Sequence, residues 1–200
     1  MVAFFQSLHK TLAAGVILVI LLIILVGLVS GQFVKFDHAY GFFLMRWLHV
    51  LAGVMWIGLL WYFNFVQTPT MPKIEPVEHR AAVVKFIAPS ALFFFRWAAL
   101  VTVILGLILG SMSPAYSIVQ ALTLRSPATA IGIGMWLGLI MAFNVWFLIW
   151  PNQKKIIGLV EATADEKAAA GRVAGMTSRI NTMLSIPMLY CMIAQSHGGF

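Results

Sequence analysis

The chemistry available to this sequence centres on histidine. Of five histidines, His49 alone falls inside a long apolar stretch, in the run Arg46-Trp47-Leu48-His49-Val50-Leu51-Ala52-Gly53-Val54-Met55-Trp56. An ionisable side chain there is costly to keep in hydrocarbon and marks a functional position by default. Helical offsets of three and four return to one side, so Arg46, His49, Gly53, Trp56 and Leu60 share a face. That face suits a non-covalently held haem b. The His49 imidazole would ligate the iron, Gly53 would let the macrocycle approach the backbone, Trp56 would pack on it and Arg46 would pair with a propionate. A second role is open to the same residues: an interhelical hydrogen bond from His49, core filling by Trp56, and interfacial anchoring by Arg46 and Trp47.

A six-coordinate iron needs a second axial ligand, and depth in the membrane selects among the candidates. His197, just beyond the last apolar segment, is at a depth compatible with His49, and His38 is the reserve. His79 belongs to the opposite side, roughly 20–30 Å away across the bilayer. Simple solvation is the other reading of His197. The single cysteine, Cys191, rules out an intrachain disulfide and covalent c-type attachment. All six acidic residues, Asp37, Glu75, Glu78, Glu161, Asp165 and Glu166, fall in loops or interfacial segments. Ion-coupled transport is thereby disfavoured, because it normally uses an intramembrane relay. There is no HExxH, Walker loop or nucleophile elbow. The eleven methionines are scattered without ligand spacing and read as core.

The elements that must position these residues are membrane spans. Of 200 residues, 62% are apolar and 10% charged, against roughly 45–50% and about 25% in soluble domains. The mean hydropathy is +0.96. A lipid bilayer is the implied solvent, and the net charge of +7 is assigned to membrane orientation rather than nucleic acid. The expected fold class is all-α, one integral membrane bundle over residues 1–200 with about five transmembrane helices. The spans are expected near 12–31, 47–66, 91–110, 128–150 and 180–195. Pro69, Pro72 and Pro76 are expected to break the second, and Pro151 to end the fourth. Interfacial or cytoplasmic helices are expected near 77–88 and 153–178. The distribution of Lys and Arg in the loops places the N-terminus inside and the C-terminus outside. Gly106 with Gly110, and Gly134 with Gly138, form GxxxG pairs for close helix packing. Asn64 and Asn144, toward the inner ends of their spans, are read as interhelical hydrogen-bonders.

Several blocks resemble a known family. Arg46-Trp47-Leu48-His49-Val50 with Trp56-Ile57-Gly58, Met141-Ala142-Phe143-Asn144-Val145-Trp146, Trp150-Pro151-Asn152-Gln153-Lys154-Lys155, Arg179-Ile180-Asn181-Thr182, Ser185-Ile186-Pro187 and Ser196-His197 are similar to the membrane domain of membrane-bound urate oxidases. The resemblance runs from about Gly41 to His197. It implies a bacterial inner membrane protein that passes electrons from a small substrate to an acceptor outside the cytoplasm. In that family the membrane domain precedes a c-type cytochrome. This sequence carries no CxxCH, so a separate c-type cytochrome is the expected acceptor. The resemblance strengthens His49 and His197 as haem b ligands. The expected function is a haem b redox protein taking electrons from urate, a related purine or a quinol. The alternative is a non-catalytic membrane subunit packed within a larger respiratory or oxidase complex.

Overall fold

In hydrocarbon every backbone N–H and C=O must be satisfied internally, and a helix does this for all but its ends. The computed structural model of the protein describes residues 2–199, and among these every regular element is a helix. The helices are α1 (Val2–Phe5), α2 (Leu8–Ser30), α3 (His38–Lys73), α4 (His79–Ser111), α5 (Ile118–Leu122), α6 (Thr129–Ile156) and α7 (Ala164–His197). Four of them, α2, α3, α4 and α6, are long and apolar enough to cross a membrane. The chain divides into two compact units, Met1–Phe43 and Leu44–Phe200; the sequence reading is of one domain over residues 1–200. Met1 and Phe200, the ends of that expected domain, lie outside the described residues.

The first unit is dominated by α2, whose sequence from Ala13 to Ser30 contains no charge and whose side chains are nearly all exposed. Gly31 ends it in the left-handed region at φ 70°, which glycine reaches without strain. The chain then turns so that Phe33 lies over Gly27, where a Cβ would come within 2.7 Å of the Phe33 ring. Asp37 Oδ1 accepts from the Tyr40 backbone N–H at 3.0 Å and caps the start of α3.

The second unit is held by α6 and α7, which run against one another, with α3 and α4 packed on them. Its core contains Trp56, Leu60, Phe95, Ala99, Met141 and Val145, each at most 2% exposed. Uncharged polar residues of α7 face inward, while its charges are exposed. Asn181 donates to the Met141 carbonyl at 2.9 Å and accepts from Asn144 at 2.8 Å. Ser185 accepts from Trp61 Nε1 at 3.0 Å, and Ser178 accepts from Asn64 at 2.7 Å. Bonds of this kind between membrane helices contribute about 0.6–2 kcal/mol each. Glycine removes obstacles: a Cβ on Gly134 would come within 3.1 Å of Cys191 Cβ, and one on Gly110 within 3.2 Å of Met135. At the turn into α6, Gln195 bonds both the Ile131 N–H and the Pro127 carbonyl, which ties the end of α7 to the start of α6.

Three prolines lie inside long helices, two of them against expectation. Pro69 and Pro151 do not end their spans, and 77–88 is not a separate interfacial helix but mostly the start of α4. In each case a π-helical turn precedes the proline: Tyr62–Gln67 before Pro69, Val83–Ile87 before Pro89, and Asn144–Ile149 before Pro151. Proline has no N–H, and its ring collides with the carbonyl four residues back. Those carbonyls belong to Phe65, Lys85 and Phe147, each inside its π turn, where the wider i→i+5 bonding makes room. The expected helix near 153–178 is likewise divided. Its first residues complete α6 up to Ile156, and Ala164 begins α7, a single helix that includes the expected segment 180–195. The first half of α7 carries Asp165, Glu166, Lys167, Arg172 and Arg179, which keeps it off the list of spans that hydropathy identifies.

A Thr163–Glu166 capping box starts α7, each side chain bonding the other's backbone N–H. Those bonds from Thr163 hold the Glu166 carboxyl below its ordinary value. A depressed carboxylate contributes stability above its unfolded value of 4.5, and that contribution is lost as pH falls through the lower folded value. Hydrogen exchange in the first turn of α7 is therefore expected to speed up in that acidic window in the parent but not in Glu166→Gln. Glycine contacts give a second expectation. A Cβ at Gly132 would strike the Ala121 carbonyl, whereas one at Gly138 meets nothing within 4 Å. Gly132→Ala should cost about 1–3 kcal/mol by overpacking, and Gly138→Ala should stabilise by roughly 0.5–1 kcal/mol, both read from unfolding in detergent micelles.

Candidate functional site

Helical spacing places Arg46, His49, Gly53 and Trp56 along one side of α3, and α4 packs on that side. The His49 ring rests in a notch on α4. Its Nδ1 lies 2.9 Å from the Thr102 carbonyl oxygen. A carbonyl can only accept, so Nδ1 carries the hydrogen and the Nε2 lone pair is left for a ligand. The notch exists because residue 106 is glycine: a Cβ there would sit 2.9 Å from His49 Cε1. Thr102 completes the arrangement, its Oγ1 donating to the Ala98 carbonyl at 2.7 Å. His49 is thus an interhelical hydrogen-bonder and, through its other nitrogen, a possible metal ligand.

The neighbours of His49 divide between packing and polarity. Gly53 faces the Thr102 methyl group, which a Cβ would meet at 3.9 Å, so its small size serves the close approach of α3 to α4. Trp56 is 2% exposed within the core, and its Nε1 is a buried donor without an acceptor. Arg46 is exposed and near enough to Tyr116 to act on its phenol. Burial pushes the Tyr116 hydroxyl up from its ordinary value, against the downward pull of the Ser113 hydrogen bond and the Arg46 charge. His197 is exposed at the end of α7, its Nδ1 3.1 Å from the Ile193 carbonyl one turn back. Among the described residues the rings of His49 and His197 do not bond to each other. His38 opens α3 and is exposed. No three of His, Cys, Asp and Glu come together in a metal-ligating group among the described residues.

A second constellation lies farther along α3, and of its residues sequence reasoning named only Asn64 as a hydrogen-bonder. Asn64, Gln67, Gln153 and Ser178 meet with Phe63 and Phe95 around a cavity of about 70 Å³. The walls come from two of the three π turns and from the helix just after the third: Asn64 and Gln67 from α3, Ala88 and Leu92 from α4, and Ile149 from α6. The Oε1 of Gln67 is buried with no hydrogen-bond partner. No charged side chain lines the cavity. The signal that could have found it is the repeated proline two residues after Gln67, Ile87 and Ile149, because a π turn is a common mark of a functional site.

The Trp-Pro-Asn-Gln block is accounted for by the same region. The Arg96 guanidinium stacks on the Trp150 ring at 3.8 Å from its centroid, a cation–π contact that tolerates a partly desolvated charge. Pro151 sets the π turn, Asn152 donates to the Leu148 carbonyl at 2.8 Å, and Gln153 lines the cavity. Lys154 and Lys155 occupy the last turn of α6, where cations favour the negative end of the helix dipole.

Comparison with known proteins covers this region. A family described as urate oxidase N-terminal matches residues 94–199. That stretch holds the second half of α4, all of α5, α6 and α7, and the Asn144, Trp150–Gln153, Asn181 and Ser185 positions; Arg46 and His49 precede it. Neither the curated proteins nor the solved structures contain a match to the chain. The all-helical architecture, the apolar spans and the match over residues 94–199 together assign the chain to the urate oxidase N-terminal family.

Proposed function

We propose that this membrane protein is a haem b-binding redox protein of the bacterial inner membrane, with His49 as an axial ligand. The observation that carries the reading is the His49–Thr102 bond, which orients the ring and leaves Nε2 as the coordinating atom. A ligating histidine is ordinarily held in this way, by its second nitrogen donating to a carbonyl or carboxylate. One further feature fits a haem. Arg46, one helical turn before His49, is exposed and would pair with a propionate. Gly53 and Trp56 are engaged in packing, so His49 and Arg46 are the residues of this face that would hold the group. His197 is the proposed second ligand, reached from the exposed end of α7.

Haem, when bound, supplies one-electron chemistry, and the protein sets its potential through ligand identity, hydrogen bonding and burial. Within that division of work, Thr102 holds the Nδ1 proton and Gly106 leaves room for the ring. Urate or a related purine is the small substrate that the family suggests, and a separate c-type cytochrome the acceptor. A second reading, a non-catalytic subunit of a larger complex, is favoured by one observation. Gly171 and Gly175 on α7 form a GxxxG pair with nothing within 4 Å of either Cβ position, a surface open to another helix.

The deciding measurement is a reduced-minus-oxidised spectrum with a pyridine haemochrome assay on the detergent-purified chain. A b-type signal is expected in the parent, abolished in His49→Ala and shifted or weakened in His197→Ala. A folded, monodisperse parent without haem would sink the redox reading and leave the subunit reading. Gly106→Ala makes a finer expectation, because its Cβ would push the His49 ring off Thr102. Haem retention should fall in Gly106→Ala while Gly110→Ala, which crowds only Met135 and Ile118, keeps it.

A further inference from the structure

The cavity at Asn64 has a neighbour. Thr68 and Gly175 line both it and an open groove of about 660 Å³ along α7. The groove is floored by Met176, Ile180 and Met183, which are 62%, 40% and 63% exposed, and its lining includes Arg172 and Arg179. Cavity and groove therefore adjoin at Thr68 and Gly175, the cavity polar and narrow and the groove apolar and open. The inner end is uncharged but rich in amides and hydroxyls, from Asn64, Gln67, Thr68, Gln153 and Ser178. Phe63 and Phe95, in edge-to-face contact with centroids 5.7 Å apart, give it aromatic walls. A cavity of about 70 Å³ is well below the ~150 Å³ that encloses a benzene molecule, so it admits the polar edge of a ring and not the whole ring.

The unpartnered Gln67 Oε1 narrows the chemistry. A buried acceptor without a donor costs about 1–3 kcal/mol, and a ligand carrying an O–H or N–H would remove that cost. We propose that cavity and groove together bind a quinol: a ring with hydroxyl groups on a long hydrocarbon tail. One ring hydroxyl donates to Gln67 Oε1, the ring oxygens accept from the amide of Gln153 or the hydroxyl of Ser178, and the tail lies in the groove over Met176, Ile180 and Met183. A phospholipid fits less well. Its phosphate would sit on Arg172 and Arg179 at the groove and would leave the Gln67 acceptor unserved. The quinol assignment goes beyond the haem reading and stands apart from it, since Asn64 follows His49 by fifteen residues along α3, about 22 Å at 1.5 Å per residue.

The test is anaerobic binding of decyl-ubiquinol to the detergent-purified chain, read as saturable quenching of tryptophan fluorescence, with unfolding midpoints as the check on folding. Gln67→Leu removes the acceptor and should weaken binding about tenfold, the equivalent of one buried hydrogen bond. Gly175→Leu places a side chain in open space at the junction of cavity and groove and should weaken binding at least as much; it carries the test alone if Gln67→Leu fails to fold. Hydroquinone without a tail should bind more weakly than decyl-ubiquinol. Equal affinity in the parent and both folded variants would overturn the proposal. So would displacement of the quinol by phosphatidylglycerol together with loss of binding in Arg172→Gln/Arg179→Gln, which would identify a phospholipid site. Because binding is read without haem, its failure and that of the His49 assignment are separately visible.

Discussion

Proline's missing N–H is the constraint on which the second unit depends. Pro69, Pro89 and Pro151 each sit inside a long membrane helix, where an unsatisfied carbonyl and a ring clash would together cost about 3 kcal/mol or more. The helix keeps going in every case because the preceding turn widens to π geometry and re-routes its bonds. Without that adjustment α3, α4 and α6 would stop or kink at these points, and Gln67, Leu92 and Gln153 would not converge. The amide-lined cavity is thus a product of backbone necessity as much as of the side chains that face it.

The rest of the bundle follows the logic of packing in an apolar solvent. Hydrophobic burial cannot drive helices together when lipid tails are as apolar as leucine, so small residues and hydrogen bonds do it. Gly106, Gly110 and Gly134 let α4 and α6 receive His49, Met135 and Cys191 closely. Asn144, Asn181, Trp61 and Ser185 satisfy one another across three helices. The exposed charges in the first half of α7 lower its hydropathy, while the uncharged Ser178, Asn181 and Ser185 bond α3 and α6. A helix can therefore pack against the spans without reading as one.

Most of the architecture was legible in the sequence. Long apolar runs located α2, α3, α4 and α6, since a stretch of about twenty residues with at most one charge is long enough to span hydrocarbon. Asn64 and Asn144 were readable as interhelical bonders because an amide in a span needs a partner. His49 was readable as special for the same reason, and the structure gives it one such bond while leaving its second nitrogen uncommitted. Helix ends were not legible. Proline is the standard stop signal, and nothing in a one-dimensional reading tells a proline that ends a helix from one that a π turn absorbs. Gly53 and Trp56 share the His49 face as periodicity predicts, but periodicity fixes a side of a helix and not what lies against it. The cavity escaped because it draws on four helices, and no local pattern joins Gln67 to Gln153 and Ser178.

The π turns also change what kind of mutation this protein can bear. Each one holds a residue more than an α-helix would need, and every residue turns the helix by about 100°. Loss of a single residue between Tyr62 and Gln67 would let α3 close into regular geometry while swinging everything upstream, His49 included, by that angle relative to Asn64 and Gln67. Composition, hydropathy and span length would hardly change. Between Tyr62 and Gln67 the relation between the two polar sites is therefore encoded in the number of residues, so insertions and deletions there are more disruptive than most substitutions.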